Sequence, residues 1–153
     1  MAAKNDPEAG EPGLYVDSSA LAKLYLPEPE SDAFDALLRG RRDLMISELS
    51  ITEVLSAVAR RKREGMLDSR SANQIKTALL ADATRLRRLD LSPTVHRQAE
   101  RLLLSTGTIP LRTLDALHIS LAMSGGATSL VTFDLRMAEA ANLHGLQVID
   151  LRE

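Results

Sequence analysis

Short apolar runs alternate along this chain with segments of helical periodicity, and no other feature restricts its possible folds so tightly. Leu14-Tyr15-Val16, Leu44-Met45-Ile46, Leu89 to Leu91, Ser129-Leu130-Val131-Thr132 and Leu146-Gln147-Val148-Ile149 read as buried strands. The stretches between them are long enough to cross over a sheet. Such an order implies an α/β fold in which parallel strands are covered by helices on both faces.

The helices announce themselves by spacing and punctuation. Leu21, Leu24 and Tyr25 begin a helix that Pro27 and Pro29 break, and Ser31 is placed to cap a second one carrying Phe34, Leu37 and Leu38 before Gly40. Ser50 to Glu64 puts Ile51, Val54, Leu55 and Val58 on one face and ends in a basic turn ahead of Gly65. Asp68 to Arg88 continues the pattern with Ile75, Leu79 and Leu86. Pro93 opens a helix to about Ser105 with Val95, Ala99, Leu102 and Leu103 inward, Thr113 to Ser124 ends at Gly125-Gly126, and Asp134 to Leu143 precedes the last strand.

With 153 residues there is room for one core and not for two. The expected organisation is a flexible acidic tail over residues 1–12 and one domain over residues 13–153. The tail contains no apolar stretch of the secretory type, and no apolar run reaches the roughly 20 residues that span a bilayer, so a cytoplasmic location without membrane contact is expected. The absence of cysteine excludes disulfides, thiolate metal sites and a Cys nucleophile. A metal, if present, must be held by oxygen or imidazole.

Charge is informative only when divided. The net charge is −2, and residues 1–12 hold Lys4 against Asp6, Glu8 and Glu11, which leaves the remainder formally neutral. Basic residues are mostly Arg and cluster at Arg39/Arg41/Arg42, at Arg60/Arg61/Lys62/Arg63 and at Arg85/Arg87/Arg88. Guanidinium forks suit phosphate, although solvated helix faces carry such clusters too. Tyr15, Tyr25, Phe34 and Phe133 are too few aromatics for a base-stacking sheet. The helical hairpin between Ile51 and Leu86, with its Arg residues, is the expected contact region for a substrate or partner.

No glycine-rich phosphate loop and no Gly-x-Ser-x-Gly elbow follows any strand. An open parallel sheet nevertheless places its ligands outside the carboxyl ends of its strands. Asp17 closes the first strand, Glu53 lies in the first turn of the helix after the second, Asp115 stands in the first turn of the helix from Thr113, and Asp134 follows Val131-Thr132-Phe133. Each acid alone has a structural explanation: Ser50-Ile51-Thr52-Glu53 matches a capping box, Asp134 suits an N-cap, and Asp115 complements a helix dipole. Together at one rim, four carboxylates would repel strongly unless a cation joined them. Oxygen donors alone favour Mg²⁺ or Mn²⁺. His118, three residues beyond Asp115, is expected to pack beside the site or to bond a backbone carbonyl, with a metal role also open. Ser18 and Thr132 could orient a water. His96 and His144 have no carboxylate at useful spacing.

These segments resemble a known family. Tyr15-Val16-Asp17-Ser18-Ser19-Ala20-Leu21, Ser50-Ile51-Thr52-Glu53-Val54, Arg112-Thr113-Leu114-Asp115-Ala116-Leu117-His118 and Val131-Thr132-Phe133-Asp134 are similar, in order and spacing, to the four acidic motifs of PIN-domain ribonucleases of the VapC type. The resemblance runs from about Leu14 to Leu151. It implies a three-layer α/β/α PIN-like domain with a central parallel sheet of four or five strands. It also implies a Mg²⁺- or Mn²⁺-dependent endoribonuclease in which Asp17 and Asp115 are the principal metal ligands and Glu53 and Asp134 complete the cluster. An RNA substrate, a homodimer and a cognate VapB-type antitoxin are further implications. A PIN nuclease of RNA or DNA processing outside any toxin pair, and a non-catalytic interaction module on the same fold, are the alternatives.

Overall fold

The structure is a computed structural model that describes residues 13–152, so the expected acidic tail over residues 1–12 lies outside the described residues. Strand β1 (Leu14–Val16) leads through Asp17 into α1 (Ser18–Ala22), then α2 (Ser31–Leu38), β2 (Leu44–Ser47) and the long hairpin of α3 (Glu48–Arg63) and α4 (Ser69–Ala83). Strand β3 (Arg87–Leu89), α5 (Pro93–Ser105), α6 (Thr113–Ser124), β4 (Ser129–Val131), α7 (Leu135–Leu143) and β5 (Gln147–Ile149) follow. All five strands form one parallel sheet in the order β3-β2-β1-β4-β5. This is the three-layer α/β/α arrangement, with five strands.

Strand alternation builds the layers. Leu14, Val16, Ile46 and Val131 point into a core shared with Phe34, Ile51, Val54 and Leu79, whereas Tyr15, Met45 and Leu130 point into a second core with Val95, Leu102, Ile119 and Met137. Consecutive strand residues thus serve opposite faces, as the period-two geometry of a strand requires. Helices α1 to α4 cover one face and α5 to α7 the other. Burial on both faces explains why the central strands read as continuous apolar runs.

Three local expectations are corrected. The third strand covers Arg87–Leu89 and not Leu89 to Leu91, with Met45 opposite Arg87 and Ser47 opposite Leu89. It is an edge strand, so charged residues are tolerated: the Arg87 guanidinium donates to Gly125 O at 2.7 Å, and Arg88 pairs with Glu48 at 2.8 Å. Ser31 does not cap α2. The N-cap is Glu30, held at φ 67°, while the Ser31 hydroxyl accepts from Glu28 N–H at 3.1 Å. Helix α3 starts at Glu48 behind Ser47, whose hydroxyl accepts from Ser50 N–H at 3.0 Å. The Ser50/Glu53 capping box therefore does not form, and Glu53 falls in the second turn, free of any capping duty.

Candidate active site

Asp17 leaves β1 just as the chain turns into α1. Its N–H continues the ladder to Val131 O, and its side chain caps α1 by accepting from Ala20 N–H at 2.9 Å. The Ser19 hydroxyl lies 2.8 and 2.9 Å from the two carboxylate oxygens, and Thr132 Oγ1 donates to Oδ2 at 2.6 Å. Thr132 follows β4, the neighbour of β1, so the parallel register itself brings hydroxyl and carboxylate together. Asp17 is 1% exposed. Burial pushes its pKa above the ordinary carboxylate value, against the opposing pull of His118 and of these hydrogen bonds. Among the described residues no cationic side chain bonds it directly.

Asp115 and Asp134 enter from helix starts, and Glu53 from the second turn of α3. Asp115, buried in the first turn of α6, accepts from Arg112 N–H at 3.1 Å, and the Arg112 Nε lies 3.6 Å from the same oxygen. Asp134 caps α7 by accepting from Arg136 and Met137 N–H at 2.9 and 3.1 Å. Its second oxygen receives the Arg112 guanidinium at 3.2 Å. Arg112 thus bridges two acids that lie 19 positions apart in the chain. Glu53 reaches across from α3 to His118 Nε2, 2.5 Å away.

His118 is buried beside the site, one of the two placements expected for it, and its hydrogen-bond partners are side chains and not a backbone carbonyl. Nδ1 meets the Tyr15 hydroxyl at 2.8 Å, and Tyr15 in turn donates to Ser47 Oγ at 2.8 Å. Ser47 and Ser50 hydroxyls lie 3.1 Å apart, and Ser50 donates to Val16 O. Ser50 donates to Val16 O, Ser47 to Ser50 and Tyr15 to Ser47, which leaves the Tyr15 oxygen to accept from His118 Nδ1–H and turns Nε2 toward the Glu53 carboxyl group. Desolvation within this network holds the Tyr15 phenol far above its ordinary pKa.

Asp17, Glu53, Asp115 and Asp134 all line one cavity of about 660 Å³, together with Ser18, Ser19, Lys23, Arg60, Arg61, Arg112, His118 and Phe133. The expected sharing of one rim is therefore met. Close convergence of the oxygens is not: among the described residues no three His, Asp or Glu side chains form a group that could hold a metal. The reason is visible in the contacts. Asp17 is turned to hydroxyls, Glu53 to His118, and Asp115 and Asp134 to the Arg112 guanidinium, so hydrogen bonds to protein groups engage carboxylate oxygens that the sequence assigned to an ion. The donors remain suited to a hard divalent cation. All are oxygen, Glu53 and Asp134 are 27% and 24% exposed on rotatable side chains, and Asp17 is a buried carboxylate bonded to neutral groups.

Residues that the sequence did not single out support those it did. Ser19 and Arg112 adjoin the acids in the chain and could have been suspected for that reason. Tyr15 reads as an ordinary strand residue, and nothing in sequence spacing connects His118 with Glu53, 65 positions away. The basic clusters divide: Arg39 and Arg41 pair with Asp35 and Asp43, whereas Arg60 and Arg61 line the cavity, Arg61 in an ion pair with Glu28.

A family model described as PIN domain matches residues 14–143. Ribonuclease VapC46 of Mycobacterium tuberculosis is 37% identical over 140 residues, which cover 89% of this chain and 95% of that protein. The crystal structure of M. tuberculosis VapC20, described as a Sarcin-Ricin loop cleaving toxin, superposes with a TM-score of 0.68 at 19% identity over 84% of this chain and 95% of its own. DNA-bound VapBC from Salmonella typhimurium superposes with a TM-score of 0.64 at 18% identity, covering 93% of this chain and all of the matched one. At such identities these two structures establish the fold.

Proposed function

Because the chain belongs to the PIN-domain family, alongside the VapC ribonucleases, we propose that its acidic cavity is the active site of a divalent-metal-dependent endoribonuclease and that the protein is the toxin of a toxin–antitoxin pair. The observation that carries this reading is the arrival of Asp17, Glu53, Asp115 and Asp134 at one cavity from four different elements. Asp17 and Asp115 are the principal ligands, with Glu53 and Asp134 completing the set. When bound, Mg²⁺ or Mn²⁺ supplies a Lewis acid beside the scissile phosphate and acidifies water for hydrolysis.

The chain's own groups do the rest. Ser19, Thr132 and the Ala20 N–H fix the Asp17 carboxylate, so its lone pairs are aimed before any ligand arrives. Arg60, Arg61 and Arg112 on the cavity wall bind flanking phosphates as charge-assisted donors. The acidic floor repels a polyanion until its charge is offset, which makes RNA binding follow metal binding. No side-chain nucleophile is needed, and the cavity serine nearest Asp17, Ser19, is already committed to that carboxylate and to Phe133 N–H.

Incubating purified protein with total RNA tests the assignment. Cleavage is expected with Mg²⁺ or Mn²⁺, none with EDTA, and none for Asp17→Asn or Asp115→Asn proteins that retain the wild-type circular dichroism spectrum. Persistent, metal-dependent cleavage by either folded variant refutes it. A cytoplasmic site of action, pairing with a second copy and neutralisation by a VapB-type antitoxin belong to the same reading. The Salmonella VapBC likeness supports a partner of that kind.

A further inference from the structure

The acids of the cavity differ in how they are held, and Glu53 is the exception. Asp17, Asp115 and Asp134 are each tied to backbone N–H groups of a helix start. Glu53 sits in the second turn of α3 on a longer side chain, and its hydrogen-bond partner is the buried His118. Free of that bond, Glu53 would distribute over many rotamers and would have to be ordered each time it was used.

His118 is itself fixed with unusual completeness. The hydrogen-bond path leaves α3 at Glu53, passes through His118 on α6, Tyr15 on β1 and Ser47 at the end of β2, and returns to α3 at Ser50, one turn before Glu53. A loop closed on the same helix holds the imidazole plane relative to the backbone that carries Glu53. The His118 ring is 1% exposed, and among the described residues the other polar group near Nε2 is Ser18 Oγ at 3.5 Å. A histidine serving packing alone would be satisfied by Tyr15 and have no need to aim its second nitrogen at the cleft.

We infer that His118, anchored by Tyr15, is the positioning residue that aims the Glu53 carboxylate into the acidic cavity and so sets the affinity of that cavity for a divalent ion. The inference rests on the reading of Glu53 as a metal-site residue. Groups that orient metal-site side chains are typically worth about 10- to 100-fold in metal affinity. His118 touches no substrate and transfers no proton in this role.

The test is calorimetric titration of Mn²⁺ into the full chain, without RNA. His118→Gln, which can still present a donor near the Nε2 position, is expected to stay within about threefold of wild type, and His118→Asn, which cannot, to bind about 10- to 100-fold more weakly. In a Glu53→Gln background the same two substitutions, His118→Gln and His118→Asn, should leave equal Mn²⁺ affinities, because the group through which they act has lost its charge. Wild-type affinity in His118→Asn, or a loss of the same size with and without the Glu53 carboxylate, overturns the inference. Unchanged Mn²⁺ affinity in Glu53→Gln alone removes Glu53 from the metal site and overturns the inference together with that assignment, whereas an effect of Glu53→Gln without one of His118→Asn overturns the positioning role alone. Should His118→Asn fail to fold, Tyr15→Phe takes its place: it removes one anchor of the ring and is expected to weaken Mn²⁺ binding severalfold, with no effect in the Glu53→Gln background. No effect of Tyr15→Phe in either background overturns the inference.

Discussion

A buried carboxylate is a cost to the fold, and Asp17 is one that, among the described residues, no cationic side chain bonds. Its folded pKa is raised by burial, so its charge destabilises the protein above that raised value, and the penalty disappears as pH falls below the ordinary carboxylate value of about 4. Asp17→Asn keeps an acceptor for Ala20 N–H while removing the charge. In EDTA at pH 7 it should therefore melt higher than wild type, by at least about 2 °C in a chain of this length, with the gap closing toward pH 4. Added Mn²⁺ should raise the wild-type melting temperature and leave the variant unmoved; a variant that melts lower in EDTA would contradict the burial argument. Arg112 is the complementary case. Replacing it by Gln frees Asp115 and Asp134 from a bound cation, so Mn²⁺ should bind about fivefold tighter, the equivalent of roughly 1 kcal/mol, which is the scale of an ion pair with an exposed guanidinium. RNA should bind more weakly for want of a phosphate donor. Weaker Mn²⁺ binding in Arg112→Gln would mean that the guanidinium shapes the site and does not compete for it. Asp17, Asp115 and Asp134 were legible in the sequence because strand ends and helix starts are local signals, whereas Glu53 was found through a helix start that the structure moves to Glu48. Their distant partnerships were not, because Thr132 meets Asp17 through the parallel register, and His118 meets Glu53, and Arg112 meets Asp134, through the packing of separate elements.

Element boundaries show the same division between local and distant causes. Helices α5 and α6 begin and end where Pro93, Thr113 and Gly125 place them, since caps and breakers act over one turn. The start of α3 escaped because two serines compete for its cap, and Ser50 is drawn away to Val16 O by a strand 34 positions earlier. Strand β3 escaped because an edge strand needs no apolar face, so Arg87 and Arg88 pair in the sheet through their backbone and send their side chains to Gly125 and Glu48. The two serine caps make a controlled comparison. Ser92 caps α5 by accepting from Val95 N–H at 3.2 Å, away from the cavity, whereas Ser47 caps α3 and also receives the Tyr15 hydroxyl. Ser92→Ala should cost about 1 kcal/mol in chemical denaturation and leave Mn²⁺ binding as it was. Ser47→Ala loses the same capping bond and strands a buried phenol, so its cost should be about 2–4 kcal/mol, with weaker Mn²⁺ binding besides. Equal costs would show that the Tyr15 hydroxyl finds another acceptor.

At the scale of the whole molecule, the sheet, both cores and the polar network should fail together, and the two tyrosines report whether they do. Tyr15 is enclosed between β1, α3 and α6, and Tyr25 is half-buried with its hydroxyl donating to Asp82 at 2.7 Å. Burial comes first among the causes that hold both phenols far above their ordinary pKa near 10. The sign follows from linkage. A group whose pKa is raised on folding contributes stability that is complete below the unfolded value and is lost as pH climbs toward the folded one, because above about pH 10 only the unfolded chain releases the proton. Alkaline titration followed by tyrosinate absorbance should accordingly show no ionisation near pH 10. Absorbance should then rise for both residues in one step, coincident with the loss of far-ultraviolet circular dichroism. The chain contains no third tyrosine to obscure the signal, and Tyr25→Phe leaves Tyr15 as the sole reporter. In that variant, ionisation at an ordinary midpoint with helicity intact would mean that solvent reaches the Tyr15–His118 contact in the folded state. The loop of hydrogen bonds that closes on α3 would then be open, and Glu53 would have lost the anchor that distinguishes it from the other acids.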